Sequence, residues 1–529
     1  MKKLATKRRK PPRRKRRAGP KDTHFRDVDI GLLRSLLADE LPSAEDDLED
    51  VIADILSAEP DEIDDLPSAD TLSELDVALN ETRLDAAGGD AEARLTLKNI
   101  HAMIDEAAAR DTINPAMLML LGRLFAAAQI EIGDAAREAM GRALDLGRFA
   151  ASAEEAYQAF LQPLLSASRS GPFELNEEIG AAISIFPLNY TSALVERLAA
   201  DTSSLARRTA VGFLLHREEP LAEAAIRGFG AAPGELDDEC RRWIDTIRPW
   251  LAPGRRGAID AALPSGGGVA PGPAANVFNT VASVCDGSGA SFLLATLRRN
   301  SRFIVASVMV KPKGVADCMS YEDLSKSEAA EIERALRSST LTSEVSLASW
   351  ERLLRLALGR NLACGEPPPF ALVQIVEALG LDSLAPDLAT PAEIIGSALA
   401  AVPDGDQADT IRAAHEFMAG AELAENWFEA GEDVEALLRI VPSAGEGASA
   451  LLDSYLPARR GFWAGQCARS SLALMDGAGP RDETWKRLAL VGREILSDVP
   501  LSGIPLMRRI AETSALAYFM QRVGRPAAA

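Results

Sequence analysis

Of the four histidines in these 529 residues, His415 comes nearest to a chemical motif. His415-Glu416 begins as a zinc-protease helix does. Clamping the ion needs two imidazoles one helical turn apart, and the residue four beyond His415 is Ala419, so the motif is rejected. His216, beside Glu218 and Glu219, reads as a solvated residue at a helix end rather than an oriented base. His101 and Asp105, one turn apart, read as a stabilising pair. Gly287-Ser288-Gly289 follows an extended stretch as a phosphate loop would, but neither a Gly-Lys-Ser/Thr run nor a second spaced glycine follows, so a hairpin turn accounts for it. Asp61, Glu62, Asp64 and Asp65 lack the glycine and the distal glutamate of a calcium loop. No catalytic residue, metal or cofactor is expected from these patterns.

Charge is more informative. The formal net charge is −21, yet residues 1–21 hold twelve Lys or Arg and no acid, leaving the other 508 residues at −33. Lys7, Arg8, Arg9, Lys10, Arg13, Arg14, Lys15, Arg16 and Arg17 form a basic arm suited to the phosphates of a nucleic acid or ribonucleoprotein. No aromatic residue interleaves them to stack on bases, so any such contact is blind to sequence. A second reversal of sign lies between Gly287 and Ala316, where Arg298, Arg299, Arg302, Lys311 and Lys313 occur without one acid. These five are the candidate anion or ligand site.

The elements that carry these residues are readable from periodicity and turn chemistry. The content is 47% hydrophobic but only 5% aromatic, which favours packed helices over an all-β fold. Four strands break the helical pattern: 277–285, 291–299, 302–311 and 315–321. They are separated by Asp286-Gly287-Ser288-Gly289, Asn300-Ser301 and Pro312-Lys313-Gly314, residues that tolerate or impose turn dihedrals. Ser325 to Glu328 has the spacing of a capping box, so a helix is expected over 327–337. In the third strand Ile304, Ala306, Val308 and Val310 share a wholly apolar face, which that helix is expected to cover. Phe303, Val305, Ser307, Met309 and Lys311 share a mixed one.

The fold class expected is mainly α, with helical layers, HEAT-like or irregular, around a small four-stranded antiparallel α+β module. The divisions are a disordered basic tail (1–21), an acidic and partly helical segment (22–90), and a helical domain (91–263). A Gly/Pro linker (264–275), the α+β module (276–340) and a C-terminal helical domain (341–529) follow. Length alone suggests about three domains. Further on, Asp406–Trp427 reads as one helix.

Five scattered cysteines argue against disulfides and zinc. No apolar stretch follows the charged N-terminus, and the most apolar window, 115–130, is too short to span a bilayer. A cytoplasmic protein without a membrane partner is expected.

Residues 187–229, with Leu194, Leu198, Leu205, Val211 and Leu214 as facing apolar positions and Asp201 and Arg207-Arg208 near the turn, resemble a HEAT-type pair of helices. The resemblance implies a surface for macromolecules rather than a catalytic pocket. The expected function is therefore a non-catalytic interaction or scaffold protein with a protein partner. The alternative is an enzyme or small-ligand binder with a pocket between the 276–340 module and the C-terminal helices, using Arg298, Lys311, Asp317 and Tyr321.

Overall fold

Ser325 opens its helix as its spacing requires. Its hydroxyl accepts the Glu328 N–H (3.3 Å), and the Glu328 carboxylate accepts the Ser325 N–H (2.7 Å). The helix, Lys326–Arg337, packs on a five-stranded sheet. In this computed structural model the described residues are 48–57, 69–88, 91–110, 117–118, 121–122, 124–125, 128, 130–143, 153–167, 171–184, 186–232, 234–263, 275–338, 340–381, 384–400, 407–420, 425–477 and 483–524. The basic arm and residues 264–274 of the Gly/Pro linker lie outside them.

The strands are β1 (Asn276–Ser283), β2 (Ser291–Arg299), β3 (Arg302–Lys311), β4 (Gly314–Leu324) and β5 (Thr342–Glu344). All pairings are antiparallel, in the order β4-β3-β2-β1-β5. The turns follow their residues. Asp286 accepts from the Ser288 hydroxyl and the Ala290 N–H (2.8 and 2.9 Å), Gly289 sits at φ +83°, and Asn300 at φ +58°. The fifth strand corrects the four-stranded expectation. Three residues are too few to show alternation, and Thr342–Glu344 is extended because the edge of β1 supplies its partners.

The placement of the helix is a second correction. Lys326–Arg337 covers the mixed face, where Ala329 joins Val281, Leu294, Phe303 and Val305 in a small separate core. That face carries Thr296, and the helix answers it with Glu333, which accepts from the Thr296 hydroxyl (3.0 Å) and the Asn279 amide (2.8 Å). The wholly apolar face, Ile304 to Val310, belongs instead to the main core with Trp350, Leu354 and Ala357 of the helix Leu347–Cys364. This twelve-residue helix, of which only Ala329 is fully buried, offers less apolar area than the C-terminal helices do.

In the first helical region Leu188–Ala199 packs against Glu219–Ala231, closely enough that a Cβ on Gly228 would stand 2.2 Å from the Glu196 carbonyl. Leu194, Leu198, Val211 and Leu214 are buried, and Leu205 is half-buried against them. At the turn Arg207 donates to the Asp201 carbonyl, while Arg208 pairs instead with Asp237 (3.2 Å). Pro253–Ala262, not foreseen as a helix, delivers the buried Arg255 to the carbonyls of Leu214 (3.2 Å) and His216 (2.9 Å), where a short 3-10 turn ends.

His216 closes that turn by accepting the Glu218 N–H on Nδ1 (3.0 Å), which only an unprotonated ring nitrogen can do. Burial, partly opposed by the Glu218 charge, holds its pKa below the ordinary 6.5. The unfolded ring therefore binds protons more readily, so this contribution is complete above pH 6.5 and is lost as pH falls from there toward the folded value. His216→Asn retains an acceptor for the same N–H. Its urea midpoint should fall less than the parent's between about pH 7.5 and about pH 5.5; an equal fall would remove His216 from the acid response.

Asp406–Trp427 is not one helix. The helix is Gln407–Gly420, and Trp427 lies outside it, after a turn, with its indole N–H on the Cys285 carbonyl (3.0 Å). The same segment presses on the 286–289 turn, where a Cβ on Gly287 would collide with the Asn426 carbonyl.

Candidate functional site

The two-residue turn after β2 leaves Arg298, Arg299 and Asn300 exposed at one end of the β2–β3 hairpin. Lys311 and Lys313 lie at the other end, beyond ten residues of β3, or about 30 Å at about 3.3 Å per residue. The five cations therefore do not make one patch. Arg302 forms a two-point pair with Asp323 (2.8 and 3.0 Å), and Lys313 pairs with Glu366. Arg298 and Arg299 have no carboxylate partner among the described residues.

Arg298, Lys311, Asp317 and Tyr321 do not converge either. Arg298 pairs in register with Phe303 and Lys311 with Gly314, at opposite ends of β3. Tyr321 is half-buried with its hydroxyl 3.9 Å from the Met319 sulfur. Asp317 lies near Glu177 of the helix Pro172–Ser184, whose carboxyl is raised above its ordinary value by burial and then by that like charge.

What surrounds Arg298 and Arg299 is a cleft of about 610 Å³ between three segments of the chain. Its floor is formed by Phe173 and Trp243, with Phe370, off the lining, packed against both. The Phe173 ring lies 4.7 Å from both Trp243 and Phe370, and the latter two meet edge-on at 5.7 Å. Three helices bring these rings together: Pro172–Ser184, Asp238–Ile247, and the turn that begins Ala371–Leu379. The acids on the walls are engaged. Glu377 pairs with Arg242 (2.6 Å), Glu239 with Arg208, and Glu322 accepts from Gln374 (3.0 Å). The two arginines at the hairpin end thus face the cleft as its unpaired charges, and the buried Trp243 indole N–H has no acceptor among the described residues.

Sequence reasoning selected the Arg298-Arg299 pair but missed Phe173, Trp243 and Phe370, whose sequence signal was no more than apolar residues at helical spacing.

Two stretches of the chain match named domain families. Residues 187–265 match the Y4lR second domain, and residues 394–519 match the Y4lR C-terminal helical domain. The chain is also similar to the uncharacterized protein y4lR of Sinorhizobium fredii (strain NBRC 101917 / NGR234), 25% identical over 492 residues, covering 88% of this chain and 90% of the relative. No solved structure matches. The first matched stretch begins at the residue where the HEAT-type resemblance begins, and what it matches is the Y4lR second domain. That stretch supplies Glu239, Arg242 and Trp243 to the cleft, while Arg298, Arg299 and Gln374 lie between the two matched regions.

Other reactive groups are quenched by their surroundings. Cys240 and Cys467 are buried thiols, each pushed up to about 12 by desolvation, and so stay protonated. His415 makes its pair with Glu494 (2.5 Å) rather than with a second imidazole. No cluster of three metal-ligating side chains occurs among the described residues, and no described helix is long and apolar enough to cross a membrane.

Proposed function

We propose that this is a non-catalytic docking protein whose partner lays a short peptide segment across the cleft at Phe173, Trp243, Arg298 and Arg299. The observation that carries the reading is the pairing of an aromatic floor with two unpaired arginines in one open groove. Aromatic residues and arginine carry much of the energy of protein interfaces; here the half-buried Phe173 presents the ring surface and Trp243, 2% exposed, supports it. A matching segment carries one or two carboxylates beside a bulky apolar side chain. A strongly acidic partner fits less well, since the body of the chain at −33 repels it at long range. The helical layers, HEAT-like in their paired packing, act as the scaffold that holds the groove open. In the same reading the protein works in the cytoplasm, and the arm from Lys7 to Arg17 adds a sequence-blind contact to nucleic acid.

The test is fluorescence anisotropy of the full chain with labelled peptides of the pattern Leu-Asp-Glu-Phe and with charge-neutral controls. Arg298→Glu with Arg299→Glu should weaken the acidic peptide about tenfold or more, equivalent to about 1.4 kcal/mol. The neutral control should change little. Unchanged affinity in the double variant, or no peptide binding by the parent chain, would reject the cleft as the docking site. In a parallel arm, labelled single-stranded RNA should lose its salt-dependent binding when residues 1–21 are removed. Retention of RNA binding by the shortened chain would remove the arm from the proposal.

A further inference from the structure

A different pair of arginines stands where nothing in the docking reading needs them. Arg360, in the helix Leu347–Cys364, and Arg469, in the helix Arg460–Met475, line one cavity of about 140 Å³, with Leu388 and Pro391 on its wall. Arg360 Nε and Nη1 and Arg469 Nε are shielded from solvent and have no acceptor among the described residues. Arg360 is the one side chain among the described residues with two such nitrogens. The single carboxylate on the lining, Asp387, spends Oδ1 on the Ala389 N–H (3.0 Å) and makes no ion pair with either guanidinium.

Two cations that share a cavity and make no ion pair with its one carboxylate repel each other where the dielectric is low, and buried guanidinium donors left empty cost further. The strain is visible in Arg360, which burial, and then the charge of Arg469, push down to about 9. An anion between them relieves both costs. A guanidinium offers parallel N–H donors in a fixed plane, which match the oxygens of a tetrahedral oxyanion two at a time. The cavity, about 140 Å³, has room for such a group.

We infer that Arg360 and Arg469 form a binding site for a phosphate-class oxyanion, taken either as the free ion or as the terminal phosphoryl group of a small monoester. The site lies partly within the stretch that matches the Y4lR C-terminal helical domain, which contains Arg469, and it is independent of the cleft.

Full-length protein is titrated with inorganic phosphate and, separately, with glycerol phosphate, each at constant ionic strength balanced by chloride. Binding is followed by phosphorus NMR line width and by the thermal midpoint. The expected result is saturable broadening with a rise in midpoint, weakened at least tenfold in Arg469→Gln and in Arg360→Gln. Preference for inorganic phosphate identifies the free ion, and preference for glycerol phosphate identifies the phosphoryl end of a monoester. Absence of saturable binding of either compound to the parent protein overturns the inference, as does parent-like binding by both variants. If Arg360→Gln does not fold, Arg469→Gln and the parent titration decide it.

Discussion

Glu429→Ala should lower the stability of the chain by about 2–4 kcal/mol, read as a fall in the urea midpoint followed by tryptophan fluorescence. Glu429 is 6% exposed, and its carboxylate accepts from Arg459 Nε (2.7 Å), Trp463 Nε1 (2.8 Å) and the Tyr455 hydroxyl (3.3 Å). Trp463 is itself fully buried, against Trp427 at 5.6 Å and Phe462 at 5.1 Å. Removing the carboxylate strands the buried Trp463 indole N–H, which has no route to water, and takes the ion pair from Arg459, whose side chain is a third exposed and turns to solvent. The indole sets most of the effect. Glu429→Gln keeps an acceptor for Trp463 but deletes the charge, and so should cost less. That variant has a second readout. Burial, and then the charge of Glu429, push the Tyr455 hydroxyl up to about 12, so Tyr455 should ionise at lower pH in Glu429→Gln when titrated by ultraviolet absorbance. An unshifted tyrosine titration would show that burial alone sets it.

Asn361→Leu should cost about 2–5 kcal/mol, because it empties two buried backbone groups at once. From the helix Leu347–Cys364 the Asn361 amide reaches β4, where Oδ1 accepts the Val315 N–H (2.7 Å) and Nδ2 donates to the Val315 carbonyl (3.0 Å). The side chain is acting as one more residue of strand along the sheet. Gly314 allows this approach. It holds φ +128°, and a Cβ there would stand 2.3 Å from Asn361 Oδ1. Leucine fills the space but pairs with neither group. Asn361→Asp does not rescue it, since its second oxygen faces the Val315 carbonyl. Hydrogen exchange at the Val315 amide should accelerate in both variants; an exchange rate equal to the parent's would mean that the bridge does not hold the strand.

Much of this fold is legible locally. Strands β2 and β3 begin and end where alternation and turn residues place them, because a hairpin with Asn300 at its corner is decided within a few residues. The capping box at Ser325 is equally local. The Arg298-Arg299 pair also stood out in one dimension, as cations in a stretch without acids. The aromatic floor beneath them did not. Phe173, Trp243 and Phe370 are far apart in the chain, and each alone is an ordinary core residue.

Sequence by itself determined that the chain is mainly helical, where the sheet lies, and which residues turn its hairpins, since propensity, capping and alternation act over one or two turns of backbone. The helix Pro253–Ala262 and the end of the helix Gln407–Gly420 escaped it. Tertiary structure alone decided which face of the sheet the helix Lys326–Arg337 covers, that Thr342–Glu344 becomes a strand, and which arginines remain without a partner. Those outcomes depend on competition between distant surfaces for apolar area and for hydrogen-bond partners. That competition is settled only when the surfaces meet.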